Sequence, residues 1–211
     1  MRKAQRDKIL ALLEAKYYDS KTALNYSSPF ELLVAVIMSA QCTDERVNKI
    51  TARIFPEYNT PEKMGALSQD ELEEKIHDCG LFRSKAKNLL GTCHLLVEKF
   101  DSTVPATIEE LMTLPGVGKK TANVIVSVIY NVPAIAVDTH VFRVSHRIGL
   151  AEGKDTLTTE QELQNVIPKA KWSSAHHWLI WHGRRVCKAI RPLCKECILL
   201  PVCPYEHKEL K

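Results

Sequence analysis

Four cysteines crowd the C-terminal end of the chain. Cys187, Cys194, Cys197 and Cys203 are spaced C-x6-C-x2-C-x5-C, with Pro192, Pro201 and Pro204 stiffening the segment. Four thiolates this close suit one tetrahedral zinc or one iron–sulfur cubane. The total of seven cysteines is odd, which speaks against a fully paired disulfide framework.

A second cluster of chemistry lies at Leu114-Pro115-Gly116-Val117-Gly118-Lys119-Lys120-Thr121. Pro115 stops one helix, and the two glycines permit a tight turn with close backbone approach. The next helix then presents its first amides outward, where they can hold a phosphate oxygen. Such a turn is also an ordinary helix connector. Lys120 shifts the balance. A cation in the first helical turn is disfavoured by the helix dipole, and the same dipole favours the neutral, nucleophilic amine. Lys119, about 100° around the helix, reaches phosphate or solvent instead.

Two further sites are ambiguous taken alone. Asp138, before Thr139-His140-Val141-Phe142-Arg143, reads as a helix N-cap whose carboxylate can also face a cleft. Ser39-Ala40-Gln41-Cys42-Thr43-Asp44 reads as a helix–helix corner.

Helices must position these groups. Ser28-Pro29-Phe30-Glu31, Ser68…Glu71, Thr107…Glu110 and Thr158…Gln161 have the spacing of capping boxes, and Thr60-Pro61 is a weaker start. Ala86, Leu89, Leu90, Cys93, Leu96, Val97 and Phe100 form an apolar stripe at helical intervals. Hairpin signals are absent, so the fold class is all-α. Only Val124–Ile129, a β-branched run, reads equally as a buried strand. With 211 residues, 45% apolar and 26% charged, the chain builds one domain or two small ones. The longest uncharged stretch, 121–137, is too short and polar to span a bilayer, and no signal peptide is evident. A soluble cytoplasmic protein is expected. The net charge of +4 is uneven. Residues 171–211 carry 8 Lys/Arg against 3 Asp/Glu, a basic patch that fits a phosphate-bearing partner or a solvated face equally well.

In order along the chain, 39–44, 114–123, 137–143, the segment Ala175-His176-His177-Trp178-Leu179-Ile180 and the cysteine spacing resemble the endonuclease III family of helix-hairpin-helix DNA glycosylases. The resemblance spans essentially the whole chain. It implies two helical domains with a DNA-binding cleft between them: a six-helix domain over 22–132 holding the hairpin motif, and a domain of 1–21 with 133–211. It also makes 121–130 the second hairpin helix and 187–203 the loop of a [4Fe–4S] cluster. The implied activity is base excision with strand cleavage. The target nucleotide is flipped out. Lys120 attacks C1′, Asp138 assists, and β-elimination cuts the strand 3′ to the abasic site. Gln41 and Leu81 would fill the gap left by the flipped base, although Leu81 alone reads as a core leucine. Gly116, Gly118, Lys119, Lys188, Arg191 and Lys195 would contact the DNA backbone.

The expected partner is double-stranded DNA carrying damaged pyrimidines or abasic sites. The expected state is a monomer in a bacterial cytoplasm, associated with the nucleoid. Lys119 stands where the family often has arginine, His146 where asparagine is common, and Trp181 where a smaller apolar residue is usual. Adenine-mismatch relatives lack the lysine and carry an extra domain. A thymine-mismatch glycosylase or a non-enzymatic DNA-binding module are the other readings.

Overall fold

The computed structural model describes residues 2–210. Eleven α-helices are seen among them: α1 Lys3–Tyr17, α2 Pro29–Met38, α3 Asp44–Ile54, α4 Pro61–Gly65, α5 Gln69–Ile76, α6 Phe82–Lys99, α7 Ile108–Leu111, α8 Lys119–Ile129, α9 Thr139–Arg147, α10 Thr156–Val166 and α11 Trp172–Arg185. Short 3-10 turns occupy Lys169–Lys171 and Cys194–Glu196. No strand occurs among the described residues. None of their helices is long and apolar enough to cross a membrane.

The chain divides into two compact units. One is Ala23–Tyr130; the other joins the residues up to Thr22 to those from Asn131 onward. The first unit carries α2–α8. Its central helix, α2, buries nine of ten residues, which is why its sequence shows almost no polar face. It packs on α3, α6 and α8, while α4 and α5 pack on α6. In α6, Ala86, Leu89, Leu90, Cys93 and Leu96 are buried as the spacing predicts, but Val97 is 46% exposed and falls off the stripe. The β-branched run at 124–129 is helical. α8 starts two residues earlier than the expected Thr121, because Gly118 serves as its N-cap.

The second unit packs α1, α9 and α11 around Ile9, Leu13, Val141, Val144, Trp178, Leu179 and Leu199. Helix starts follow the capping signals with one correction. Ser68 and Glu71 form the full reciprocal box at α5, and Ser28, Thr60 and Thr107 each accept an amide of their own helix. At α10 the cap is Asp155, not Thr158: its carboxylate accepts the Thr158 amide at 2.8 Å. An aspartate three residues upstream supplies a charged acceptor to the same orphan donors, and so it sets the start.

Candidate active site and nucleic-acid interface

In the 23–130 unit, the turn between α7 and α8 is built against α6. Thr92 donates its hydroxyl to the Pro115 carbonyl at 2.9 Å, and Val117 closes a turn onto the Leu114 carbonyl. Gly116 sits at φ +77, and a Cβ there would lie 2.9 Å from the Asn88 amide nitrogen, so only glycine fits. Gly118 differs: its φ is −90, and a Cβ would meet nothing within 4 Å. Its openness leaves the backbone accessible to an incoming group.

No side chain caps α8, and its first turn carries no acid. The outward amides of that turn are therefore offered to an anion. Lys119 and Lys120 are the first two helical residues, and both are exposed. Further along, α8 buries Ala122, Asn123, Ile125, Val126 and Ser127, which fixes the helix rotation and so the directions of both lysines.

Gln41 and Leu81 occupy neighbouring corners of the same unit. Gln41 follows α2 and Leu81 precedes α6. Both hold left-handed backbones, at φ 53 and 59. Two non-glycine residues in that region store strain, which the surrounding packing must hold. The corners are close: a Cβ on Gly80 would sit 3.2 Å from the Gln41 carbonyl oxygen. Both side chains are exposed, Leu81 by 57%, so it is not the core leucine that its type suggests in isolation.

In the other unit, Asp138 caps α9. One carboxylate oxygen, Oδ1, accepts the amides of His140 at 2.8 Å and Val141 at 2.7 Å. The preceding Ala134–Val137 is buried and holds the cap residue in place. Burial pushes the His140 imidazole below its ordinary range, against the pull of the nearby Asp138 charge.

Two arginines further along α9 grip the cysteine loop. Arg143 donates to the Cys187 carbonyl at 3.1 Å and the Gly183 carbonyl at 3.0 Å. Arg147 donates to the carbonyls of Lys188 at 2.6 Å and Ala189 at 3.0 Å, and it stacks on Tyr205. Sequence reasoning missed both. The signal was an i, i+4 arginine pair following an aspartate cap. His182 was also missed. It is buried beside the Cys197 sulfur at 3.6 Å, with the Tyr17 hydroxyl 3.1 Å from its other ring nitrogen.

The four cysteines line one enclosed pocket with Pro192, Leu193 and Tyr205, and all are free thiols. Among the described residues, no three His, Cys, Asp or Glu side chains close on a single-ion site. Burial pushes the Cys197 and Cys203 thiols up, with their sister cysteines adding to the effect. A bound cation would reverse this. An apolar pocket lined by four thiols fits an iron–sulfur cluster as a donor set. Lys188, Arg191 and Lys195 project from this loop and are exposed, with Arg191 in a left-handed conformation at φ 50. The structure thus gathers Gly116, Gly118, Lys119 and Lys120 in one turn and Gln41 with Leu81 at adjoining corners. Asp138 is tied to the cysteine loop through α9.

Two of the three departures from the family pattern make specific contacts. His146 bridges the carbonyls of Phe142 and Gly153. Trp181 donates to the Lys21 carbonyl at 3.0 Å, and Arg185 lies over its ring.

Comparison with known proteins points to one family. Residues 34–169 match the HhH-GPD superfamily of base excision DNA repair proteins. The chain is 47% identical to endonuclease III of Haemophilus influenzae, with 99% of each chain covered. It is 45% identical to that of Escherichia coli at the same coverage. It is similar, with a TM-score of 0.93 and 47% identity, to a solved trapped endonuclease III–DNA covalent intermediate, covering 97% of this chain and 96% of that one. A thermostable thymine-DNA glycosylase shares the fold at 20% identity, with a TM-score of 0.84 and 96% of each chain covered. The chain belongs to the endonuclease III family of DNA glycosylase/AP lyases of base excision repair, within the HhH-GPD superfamily.

Proposed function

We propose that Lys120 is the amine nucleophile and Asp138 its acidic partner in excising damaged pyrimidines from duplex DNA. The observation that carries this reading is the exposed Lys120 in the uncapped, acid-free first turn of α8. The Lys120 Nζ bonds to C1′ as the glycosidic bond breaks, and the departing base keeps the electron pair and gains a proton. The sugar ring opens to a Schiff base. That cation acidifies the C2′ proton, and loss of the proton expels the 3′ phosphate by β-elimination. Water then releases the lysine. Only an amine can pass through this iminium step.

Asp138 stabilises positive charge on the sugar or takes a proton, and its geometry suits either role. Both capping amides fall on Oδ1, so Oδ2 is turned to other work. The exposed amides of α8, with Gly118 open beside them, hold a phosphate. Gln41 and Leu81 fill the space of the flipped nucleotide, and their left-handed backbones present them without further ordering. Lys119, Lys188, Arg191 and Lys195 add phosphate contacts that carry affinity and salt dependence without sequence preference.

Cys187, Cys194, Cys197 and Cys203 would hold a [4Fe–4S] cluster that supplies a fixed shape to the basic loop. With all four iron corners met by cysteine, it has no open position for substrate. The protein acts as a monomer.

Borohydride trapping on a duplex bearing thymine glycol tests this reading. The wild-type chain should give a covalent adduct, and Lys120→Gln should give none while still binding the duplex. An adduct that survives Lys120→Gln assigns the chemistry to another amine. Metal analysis should give four irons and four sulfides per chain. One zinc per chain would overturn the cluster.

A further inference from the structure

The corners that carry Gln41 and Leu81 also carry a thiol pair for which the excision chemistry has no use. Cys42 follows Gln41 directly, and Cys79 lies two residues before Leu81. The backbones of the two corners meet, with a Cβ on Gly80 falling 3.2 Å from the Gln41 carbonyl oxygen, and the Cys42 thiol is near enough to the Cys79 thiol to push it up. Cys79 is 1% exposed, whereas Cys42 is only half-buried. The Cys79 sulfur lies 3.4 Å from the Met38 carbonyl at the end of α2.

A buried lysine completes the group. Lys85 of α6 is 4% exposed, and its ammonium lies 3.1 Å from the Cys79 sulfur. An ammonium almost never enters a core without a partner, and here a sulfur is that partner. Burial pushes the Cys79 thiol up, and the Lys85 charge works against this. One half-buried thiol, one buried thiol and one cation beside the buried one make the layout of a peroxide-reacting and a resolving cysteine.

We propose that Cys42 and Cys79 are a redox modification site, oxidised by hydroperoxides to a disulfide that ties the two corners together. In the first step the Cys42 thiolate attacks the peroxide. An S–O bond forms, the O–O bond breaks, and the alcohol or water leaves with a proton. In the second step the Cys79 thiolate, stabilised by Lys85, attacks the sulfenic sulfur. An S–S bond forms, the S–OH bond breaks, and hydroxide leaves as water. Two thiols lose two electrons, and one peroxide gains them.

Sulfur–sulfur bonding at about 2.05 Å draws the two thiols together, and the movement must be taken up by the corners. The disulfide itself does not depend on the roles of Gln41 and Leu81. Its effect on activity rests on their reading as residues inserted into DNA. A displacement near 1 Å at such a site lowers a rate by about a hundredfold at most, and tenfold is a conservative expectation.

The test uses the iron-loaded chain and limited hydrogen peroxide, followed by alkylation and peptide mapping. The expected result is a Cys42–Cys79 linked peptide, formed while iron content and visible absorption hold. Nicking of an abasic duplex should fall at least tenfold and return with a thiol reductant. Cys42→Ala should keep its nicking rate in peroxide. Cys42 recovered as sulfinic or sulfonic acid with no linked peptide would overturn the site. A linked peptide with unchanged nicking would overturn the control of activity and, with it, the insertion role of Gln41 and Leu81. An equal loss of nicking in Cys42→Ala would move the peroxide target elsewhere.

Discussion

Asp138 has two jobs that mutation can separate. As a cap it accepts two amides, at 2.8 and 2.7 Å, on one oxygen. As a catalytic group it supplies charge. Asp138→Asn keeps a carbonyl oxygen at the cap and removes the charge. Asparagine and aspartate cap about equally well, so the loss is limited to the charge–dipole attraction, about 0.3–1 kcal/mol. For a chain of 211 residues this corresponds to a fall in Tm of roughly 1–4 °C. Asp138→Ala removes both bonds and should cost about 1–2 kcal/mol.

Catalysis should rank the two variants differently. Loss of the charge removes about 10²- to 10⁴-fold of rate, and it does so equally in both. The assay is single-turnover nicking of an abasic duplex at saturating enzyme, run beside thermal melting. The expected pattern is two variants equally slow and unequally stable. If Asp138→Asn nicks at the wild-type rate while Asp138→Ala is slow only in proportion to its stability, the carboxylate is a cap and nothing more.

The two hairpin glycines should part company. Gly116→Ala meets Asn88 at a left-handed φ and should lose about 1–3 kcal/mol in urea unfolding. Gly118→Ala should unfold like the parent but bind duplex DNA about tenfold more weakly by fluorescence anisotropy, since a methyl then covers the open backbone. Arg147→Met removes two donations to the cysteine loop and the stacking on Tyr205. Trypsin should cut at Lys188 about tenfold faster, because each charged hydrogen bond contributes about 1.5 kcal/mol. Burial holds His177 down to about 4. The unfolded chain therefore binds the extra proton between pH 6.5 and about 4, and stability falls as pH falls through that window. The half-buried ring is partly screened, so the difference between pH 7 and pH 5 should be about 1 kcal/mol. His177→Gln should remove that portion of the slope in urea midpoints.

Much of this architecture is written in local signals. The caps at Ser28, Thr60, Ser68 and Thr107 are visible because a hydroxyl or carboxylate answers amides within three residues. The cysteine cluster is visible because its ligands lie in one short segment. What escapes is anything set by distant packing. Asp155 competes with Thr158 for one helix start, and spacing alone cannot rank them. The helicity of 124–129 is fixed by α2 packed against α8, a contact that propensity does not see. Leu81 reads as core by its type, and only the fold shows it 57% exposed. The hold of Arg143 and Arg147 on the loop spans 40 to 44 residues of sequence, beyond any window of periodicity. The meeting of Cys42, Cys79 and Lys85 is hidden for the same reason.

The second unit is assembled from both ends of the chain, and this dictates an order of birth. α1 is made first, but its partner α11 is made nearly last: Tyr17 and His182 are 165 residues apart. At about 5–20 residues per second on the ribosome, α1 waits roughly 8–30 s with Ile9, Leu10 and Leu13 uncovered. During that wait Ala23–Tyr130 is complete and can fold. A nascent chain stalled before α11 would show a folded insert and a protease-sensitive first helix.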